Sequence, residues 1–486
     1  MHNKSGKDSY LYRKKQIEEI CMNNNVYADK FERSHTLDEV SKLNEGEEVR
    51  ICGRILFKRN FGKLIFMKIG DLKGSFQISF CINDFSPSEF MSVRNVIRVA
   101  DFIGVKGDLY KTQKGEKTLR VKRYKILSMA IRALPEKYHG IRNKNLKYRK
   151  RYLDIITNND SKYIFVKRCE VLKFIRNYFA NLNFFEVESP ILQNVASGAA
   201  AKPFKTRYNS LNKEFYLRIA PELYLKQIIG GGYDRIFEIG KCFRNEGMDA
   251  AHLQEFTMLE WYVAYWDYND NVKCLKRMLT KLLDEVFGEK QFMYNGHTIN
   301  IANPWIERNY CHEINKLIKG DILSYCDIDE LKAVIKKYGH LSKKDLDESK
   351  SISALIDKLY KRKILPYIIQ PTILYNYPAH LLPLARKNDD DNRIADAFQL
   401  VIGGMEIAKG YSELINPQIQ EQEFIQQKYN REQGNDEALR SDDDFIVAME
   451  HGMPPISGVG MGIDRLMALL CNCSSLREVI LFPPMK

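Results

Sequence analysis

Nowhere in the 486 residues does an apolar run approach the ~20 residues that a membrane-spanning helix requires. The best candidates are interrupted by Pro371, or by Asp464 and Arg465. The amino-terminal stretch "MHNKSGKDSYLYRKKQIEEI" has basic charge but no apolar segment behind it, so no secretory leader is expected and a cytoplasmic setting is. The 10 cysteines stand singly, apart from Cys471 and Cys473. No two CxxC pairs exist to close a tetrahedral zinc site, and reduced thiols are the expectation. Two phosphate-binding signatures are also missing: GxxxxGK[ST], and GxGxxG between a strand and a helix. There is no internal repeat and no low-complexity tract. These absences leave an ordinary globular chain, with no membrane partner expected and any nucleotide held by other means.

What is present is charge in one place. Hydrophobic residues make up 44% and charged residues 28%, enough for two or three domains with separate cores. The net charge is +13. Residues 51–150 hold 23 Lys and Arg against 7 Asp and Glu, a balance of +16 that leaves −3 for the rest. One basic module on a near-neutral body points to a polyanion held by that module.

The patterning divides the chain. Residues 1–45 read as a helical extension, with "YRKKQIEEICMNNNVYADKF" followed by a short helix after Thr36. From Val49 to about Leu127 the period is two, with turns at "NFGK" and "DLKG", and about five short strands predict a Greek-key barrel over 46–138. Such barrels stack unpaired bases on aromatics beside Lys and Arg. Arg59, Phe66 and Gln77 sit where strand faces could do this, although Phe66 alone could equally be core. A basic linker spans 139–160, and a second domain covers 161–486. Within it, residues 162–182 predict an amphipathic helix and "NFFEVESPIL" a strand ending at Pro190. "FMYNGHTINI" predicts a hairpin turning at Asn295 and Gly296. Helices in "DIDELKAVIKKYG" and "SISALIDKLYKRK" mark an insertion near 310–365.

Two stretches concentrate chemistry. "RIFEIGKCF" and "FTMLEWYVAY" alternate as strands on either side of a turn holding Arg244, Glu246 and His252. The second strand puts Glu260 on one face with Phe256, Met258 and Tyr262, which a solvated loop does not explain. In "SGVGMGIDRLMALL", Gly458, Gly460 and Gly462 strip one strand face, and Asp464 and Arg465 follow at a helix start. That pattern suits either a flat ligand with a phosphate or tight strand-to-helix packing.

Taken in order, "NFFEVESP", "FRNEG…HLQEFTMLE" and "GVGMGIDR" resemble the three motifs of class II aminoacyl-tRNA synthetases, and the HIGH and KMSKS signatures of class I are absent. A barrel ahead of the catalytic domain resembles the subgroup of lysyl, aspartyl and asparaginyl enzymes. "YLRIAPELYLKQ", "EFTMLEWY", "LPEKYHGI…YRKRYLDI" and "REVILFP" resemble its lysyl branch, over roughly residues 45–486. The resemblance implies an α+β chain: an OB-type anticodon-binding barrel, then an antiparallel sheet flanked by helices that dimerises through the first motif. It implies ATP, L-lysine and tRNA(Lys) as partners and Mg2+ as cofactor. Arg244 would hold the α-phosphate and the attacking carboxylate, and Arg465 the far end of the triphosphate, with adenine between Arg465 and Phe256. Glu246 would read the adenine amino group and His252 would lie over the phosphates. Glu222 would bind the α-amino group, and Glu260, Tyr262 and Glu413 the ε-ammonium. Gly198 would contact the substrate through its backbone, and Tyr411 belongs to the same pocket. Arg59, Phe66 and Gln77 would read the anticodon.

The chain departs from that pattern in "AFQLVIGGMEIAKGYSEL". Glu406 keeps its place as a Mg2+ ligand, but a second metal-binding glutamate is Gln399, which would offer a carbonyl oxygen instead. An arginine is Ala397, and an asparagine on the substrate is Lys409, expected to pair with the substrate carboxylate. Asn183 replaces a glycine and tolerates the left-handed conformation. Besides a lysine–tRNA ligase, the residues admit a paralogue for another cationic amino acid or a protein substrate, or an inactive RNA-binding protein.

Overall fold

In the computed structural model, which describes residues 2–22, 26–135, 141, 143–432 and 439–485, the chain forms two units, Met1–Lys162 and Tyr163–Lys486. In the first unit, helix α1 (His2–Cys21) and the short α2 (Leu37–Lys42) precede the barrel. Thr36 caps α2, with the Glu39 carboxylate accepting from the Thr36 N–H at 2.7 Å. The helix expected to run on to Phe31 ends at Cys21. From Val26 the chain is instead tied to the barrel, with the Ala28 N–H donating to Leu127 and that of Ser34 to Arg50.

The barrel strands are β1 (Glu48–Asn60), β2 (Leu64–Gly70), β3 (Ser75–Cys81), β4 (Phe102–Lys111) and β5 (Lys117–Ser128), with α3 (Pro87–Asn95) between β3 and β4. They close in the order β1-β2-β3-β5-β4. Alternation fills the interior with Ile51, Ile65, Met67, Ile69, Ile78, Val105 and Leu119. Phe66 is not among them. The half-buried Lys58 ammonium donates to the carbonyls of Val93 at 2.6 Å, Arg94 at 2.9 Å and Ile97 at 2.6 Å, closing the end of α3. Burial pushes its pKa down to about 8. Arg13 of α1 is buried against Asp101 at 2.8 Å and donates to the carbonyls of Val96 and Ala130. After the barrel come α4 (Lys144–Arg149), α5 (Arg151–Thr157) and α6 (Asn159–Ala180). The linker call at 139–160 falls partly on residues 139, 140 and 142, outside the described residues.

The second unit is built on an eight-stranded sheet, and its elements follow in chain order. First come β6 (Phe185–Glu186), β7 (Leu192–Gln193), β8 (Lys205–Tyr208), β9 (Lys213–Leu217), α7 (Glu222–Gly230), β10 (Arg235–Phe243), β11 (Glu255–Ala264) and α8 (Tyr268–Leu282). The hairpin β12 (Gln291–Tyr294) and β13 (His297–Asn300) leads to β14 (Ile306–Asn309). The insertion is helical, as α9 (Tyr310–Ile318), α10 (Ile328–Lys337), α11 (Lys343–Glu348) and α12 (Ile352–Lys363). Then follow β15 (Thr372–Pro378), β16 (Ile394–Ile402), β17 (Met405–Ser412), α13 (Pro417–Glu432), α14 (Asp443–Glu450), β18 (Ile456–Gly462) and α15 (Ile463–Leu470). The main sheet runs β14-β15-β16-β17-β18-β11-β10-β6, antiparallel except at its two edges.

The sheet has two unlike faces. Leu259, Trp261, Val263, Val459, Met461, Phe398 and Leu400 enter one core with side chains of α6, α8 and α15. Their neighbours in sequence therefore point to the opposite face, and those neighbours include Glu260, Tyr262, Gln399 and the glycines of β18. Of the strand expected over "NFFEVESPIL", only Phe185 and Glu186 join the main sheet, at its edge, and Leu192 pairs with Leu217 in a separate small sheet. Asn183 takes φ 60°, and Asn295 and Gly296 both take positive φ in the expected hairpin turn.

Candidate active site

Strand register assembles the site. Glu238 of β10 lies opposite Glu260 of β11, which lies opposite Gly460 of β18, then Lys409 of β17 and Gln399 of β16. One step along, Ile236, Tyr262, Gly458, Tyr411 and Ala397 form a second row. Five strands thus bring together residues that lie between positions 236 and 460, more than two thirds of the unit. The glycines have a specific part: a Cβ on Gly458 would overlap the Tyr262 ring and the Glu413 carboxylate. The bare strand face expected for a flat ligand is, at Gly458, taken up by the protein's own side chains. At Gly460 a Cβ would meet only Met258 Cε, at 3.1 Å, and the Glu260 stem beyond it.

Four carboxylates are buried here, and they are not equivalent. Glu238 is fully engaged by Arg218 and by the Ser189 hydroxyl at 2.6 Å. The Arg218 guanidinium occupies the space a Cβ on Gly240 would need. Glu222 ion-pairs with Lys226 at 2.8 Å and accepts from the Tyr411 hydroxyl at 2.5 Å. Glu413 also pairs with Lys226, yet neither of its oxygens accepts a well-directed hydrogen bond among the described residues. Among the described residues Glu260 has no ion-pair partner and accepts only from the Tyr262 hydroxyl, at 3.1 Å. Burial, then repulsion from Glu222, pushes its pKa up to about 8. Burial and Glu222 also raise Glu413, against the pull of Lys226. Lys226 is 1% exposed; burial opposes its charge, but Glu222 and Glu413 outweigh that and keep its pKa raised. Three buried carboxylates share a single ammonium, which reaches only Glu222 and Glu413, so a cation entering beside Glu260 would be favoured. Sequence reading missed Lys226 and Arg218. The signal for Lys226 was its place four residues after Glu222 on one helix.

The second cluster lies around the β10–β11 turn. The Arg244 guanidinium sits 5.1 Å above the Phe256 ring, and its buried Nε has no acceptor among the described residues. The Glu246 carbonyl accepts from Gln254 at 3.0 Å, and exposed His252 pairs with Asp249 at 2.9 Å. Asp464 accepts from the Thr257 N–H at 2.8 Å and pairs with Arg168 at 2.7 Å, which fixes the start of α15. Arg465, next to it, rests 3.5 Å from the Glu406 carboxylate. Gly198 takes φ +88°, and a Cβ there would lie 3.4 Å from that of Glu222. Lys409 is in no ion pair given by the described residues, and its ammonium lies 5.7 Å from the Tyr377 ring.

Glu406 offers a carboxylate suited to a divalent ion. Gln399 does not have the orientation expected of it. Its carbonyl oxygen accepts from Tyr360 and Tyr377, and its nitrogen donates to Glu406. Among the described residues no group of three or more His, Cys, Asp and Glu could hold a metal ion.

On the barrel, Arg59 lies opposite Phe66, and Lys68 opposite both Phe57 and Gln77. These residues share the outward face. Arg59 lies 4.7 Å over the Phe57 ring, Phe61 meets Phe66 edge-on at 6.1 Å, and Gln77 donates to Thr118 at 2.8 Å. Aromatics interleaved with cations on one barrel face form a surface on which bases can stack.

A sheet with a buried anionic cluster on one face, in a chain that also carries a basic barrel, is the combination expected of a nucleotide-dependent enzyme that acts on nucleic acid. Residues 143–486 match the family "tRNA synthetases class II (D, K and N)", and residues 49–127 match the "OB-fold nucleic acid binding domain". The chain belongs to the class II tRNA synthetases. It is 37% identical to the lysine–tRNA ligase of Staphylococcus aureus strain MW2, over 99% of this chain and 98% of that protein. The lysine–tRNA ligases of strains Mu3 and MRSA252 are 36% identical over the same shares. No helix among the described residues is long and apolar enough to cross a membrane.

Proposed function

We propose that the chain activates L-lysine with ATP and transfers it to the 3' end of tRNA(Lys) in the cytoplasm. The observation that carries the amino acid is the buried set of Glu222, Glu260 and Glu413, of which the single ammonium of Lys226 pairs only the first and the last. In this reading the α-ammonium of lysine reaches Glu222, and its ε-ammonium enters between Glu260 and Glu413 beside Tyr262. A neutral side chain would strand these carboxylates, so the pocket rejects it strongly. The substrate carboxylate attacks the α-phosphorus and pyrophosphate leaves. The protein's part is alignment and charge neutralisation. Arg244 would clamp the α-phosphate, Arg465 the terminal phosphates, and Phe256 would stack on adenine. Mg2+, when bound with ATP, supplies further neutralisation of the phosphates, and Glu406 is the residue that would hold it. Lys409 would meet the substrate carboxylate. Arg59, Phe66 and Gln77 would read the anticodon.

A second copy of the chain would complete the assembly through the first motif. Supporting this are the unpaired edge of β6 and the exposed apolar side chains Phe185, Ile191, Leu192 and Tyr233 on and near it. The test of function is ATP–pyrophosphate exchange with each of the twenty amino acids. Exchange with lysine alone is expected. Exchange with a different amino acid would point to Lys409 as having altered the pocket, and no exchange would overturn the reading.

A further inference from the structure

Gln399 ends the charged row at 3% exposure, and its two amide atoms are used in opposite ways. Its oxygen accepts from the Tyr360 hydroxyl at 2.9 Å and from that of Tyr377 at 2.7 Å, and its nitrogen donates to Glu406. The reversed amide fails on chemical grounds. A tyrosine hydroxyl carries its proton at neutral pH, so both are donors, and neither has another acceptor among the described residues. A reversed carbonyl would also set two acceptors against each other at Glu406. A metal ligand here would turn a lone pair towards Glu406, whereas this side chain turns an N–H.

The two tyrosines are themselves held. Tyr360 comes from α12 of the helical insertion. Tyr377 follows a break in the β15–β16 register at Asn376, whose φ is 59°. Tyr310 of α9 stacks on Tyr377 with centroids 4.1 Å apart and meets Tyr360 at 5.0 Å. The clamp is therefore built largely by the insertion.

We propose that Gln399 is a positioning residue and not a metal ligand: gripped by Tyr360 and Tyr377, its amide N–H holds the Glu406 carboxylate where a second cation would otherwise sit. Through Tyr360 the insertion sets the geometry of the phosphate-binding end of the site. The inference rests on reading this face as the ATP site.

The experiment counts Mn2+ by electron paramagnetic resonance on the full chain, saturated with lysine and a non-hydrolysable ATP analogue. Gln399→Glu is expected to bind one more Mn2+ per protomer than the parent. Equal counts would overturn the inference. Tyr360→Phe keeps the amide and tests the clamp even if Gln399→Glu does not fold. It is expected to weaken the analogue three- to tenfold and leave lysine affinity unchanged, as loss of one buried hydrogen bond would. Equal weakening of both ligands, or of neither, would overturn it. Failure of the parent chain to bind the analogue would instead remove the ATP reading itself, a result distinct from equal Mn2+ counts.

Discussion

Glu260 is where the chemistry of a single group reaches furthest. Its pKa of about 8 stands above the 4.5 of a free glutamate. Between those values the folded chain keeps a proton that the unfolded chain has released, so this group's effect on stability worsens as pH rises across the window. The span corresponds to a loss on the order of 5 kcal/mol. Glu260→Gln, which cannot ionise, is expected to be more stable than the parent by a margin that grows from pH 5 to pH 9 in thermal unfolding. The same substitution is expected to lower kcat/KM for lysine by roughly 100-fold or more, because the cation loses its charged partner. In the parent, binding of a cation expels the proton, so KM for lysine is expected to rise about tenfold for each unit that pH drops below 8. A flat profile in pyrophosphate exchange would remove Glu260 from the ammonium site. Glu260 stood out in the sequence as a carboxylate on an apolar strand face, whereas Glu222 and Glu413 were found only through the resemblance to the family's motifs; the structure buries all three. Lys226 was not legible, because its burial depends on Glu413, which the chain delivers from a distant strand.

The strand β18 shows what one element contributes by omission. Its alternate glycines could be read from sequence as a bare face, but not what would cover it, which depends on the register with β11 and β17. The two positions should respond differently to an added methyl. Gly458→Ala would drive the Tyr262 ring and Glu413 apart, and KM for lysine is expected to rise at least tenfold while ATP affinity holds. Gly460→Ala meets only the mobile end of Met258 and is expected to change KM less than threefold. Similar effects at both positions in exchange kinetics would show that the face works as a ligand platform. The helices of the insertion were visible through their periodicity, and the first motif's strand was overestimated for a physical reason. An edge segment has a partner on one side alone, so alternation there does not guarantee a ladder.

For the molecule as a whole, the division near residue 162 separates two kinds of lesion. Phe66→Ala on the barrel is expected to weaken tRNA binding about tenfold or more, as loss of one stacked base does, and to leave pyrophosphate exchange unchanged. Filter binding across a salt series would show a steep slope carried by the basic window. An unchanged affinity would move the RNA contact away from this face. The barrel itself was readable from its period and charge, whereas the attachment of α1 to it was not, since nothing local marks Arg13 as a buried residue. That attachment has a consequence for how the chain is made. Arg13 is synthesised early, but its acceptors are the carbonyls of Val96 and Ala130 and the carboxylate of Asp101, 83 to 117 residues later. At ~5–20 residues per second the first helix waits roughly 4–25 s on the ribosome with its arginine unburied. Helix α1, synthesised ahead of all five barrel strands, is thus among the last parts of that unit to find its place.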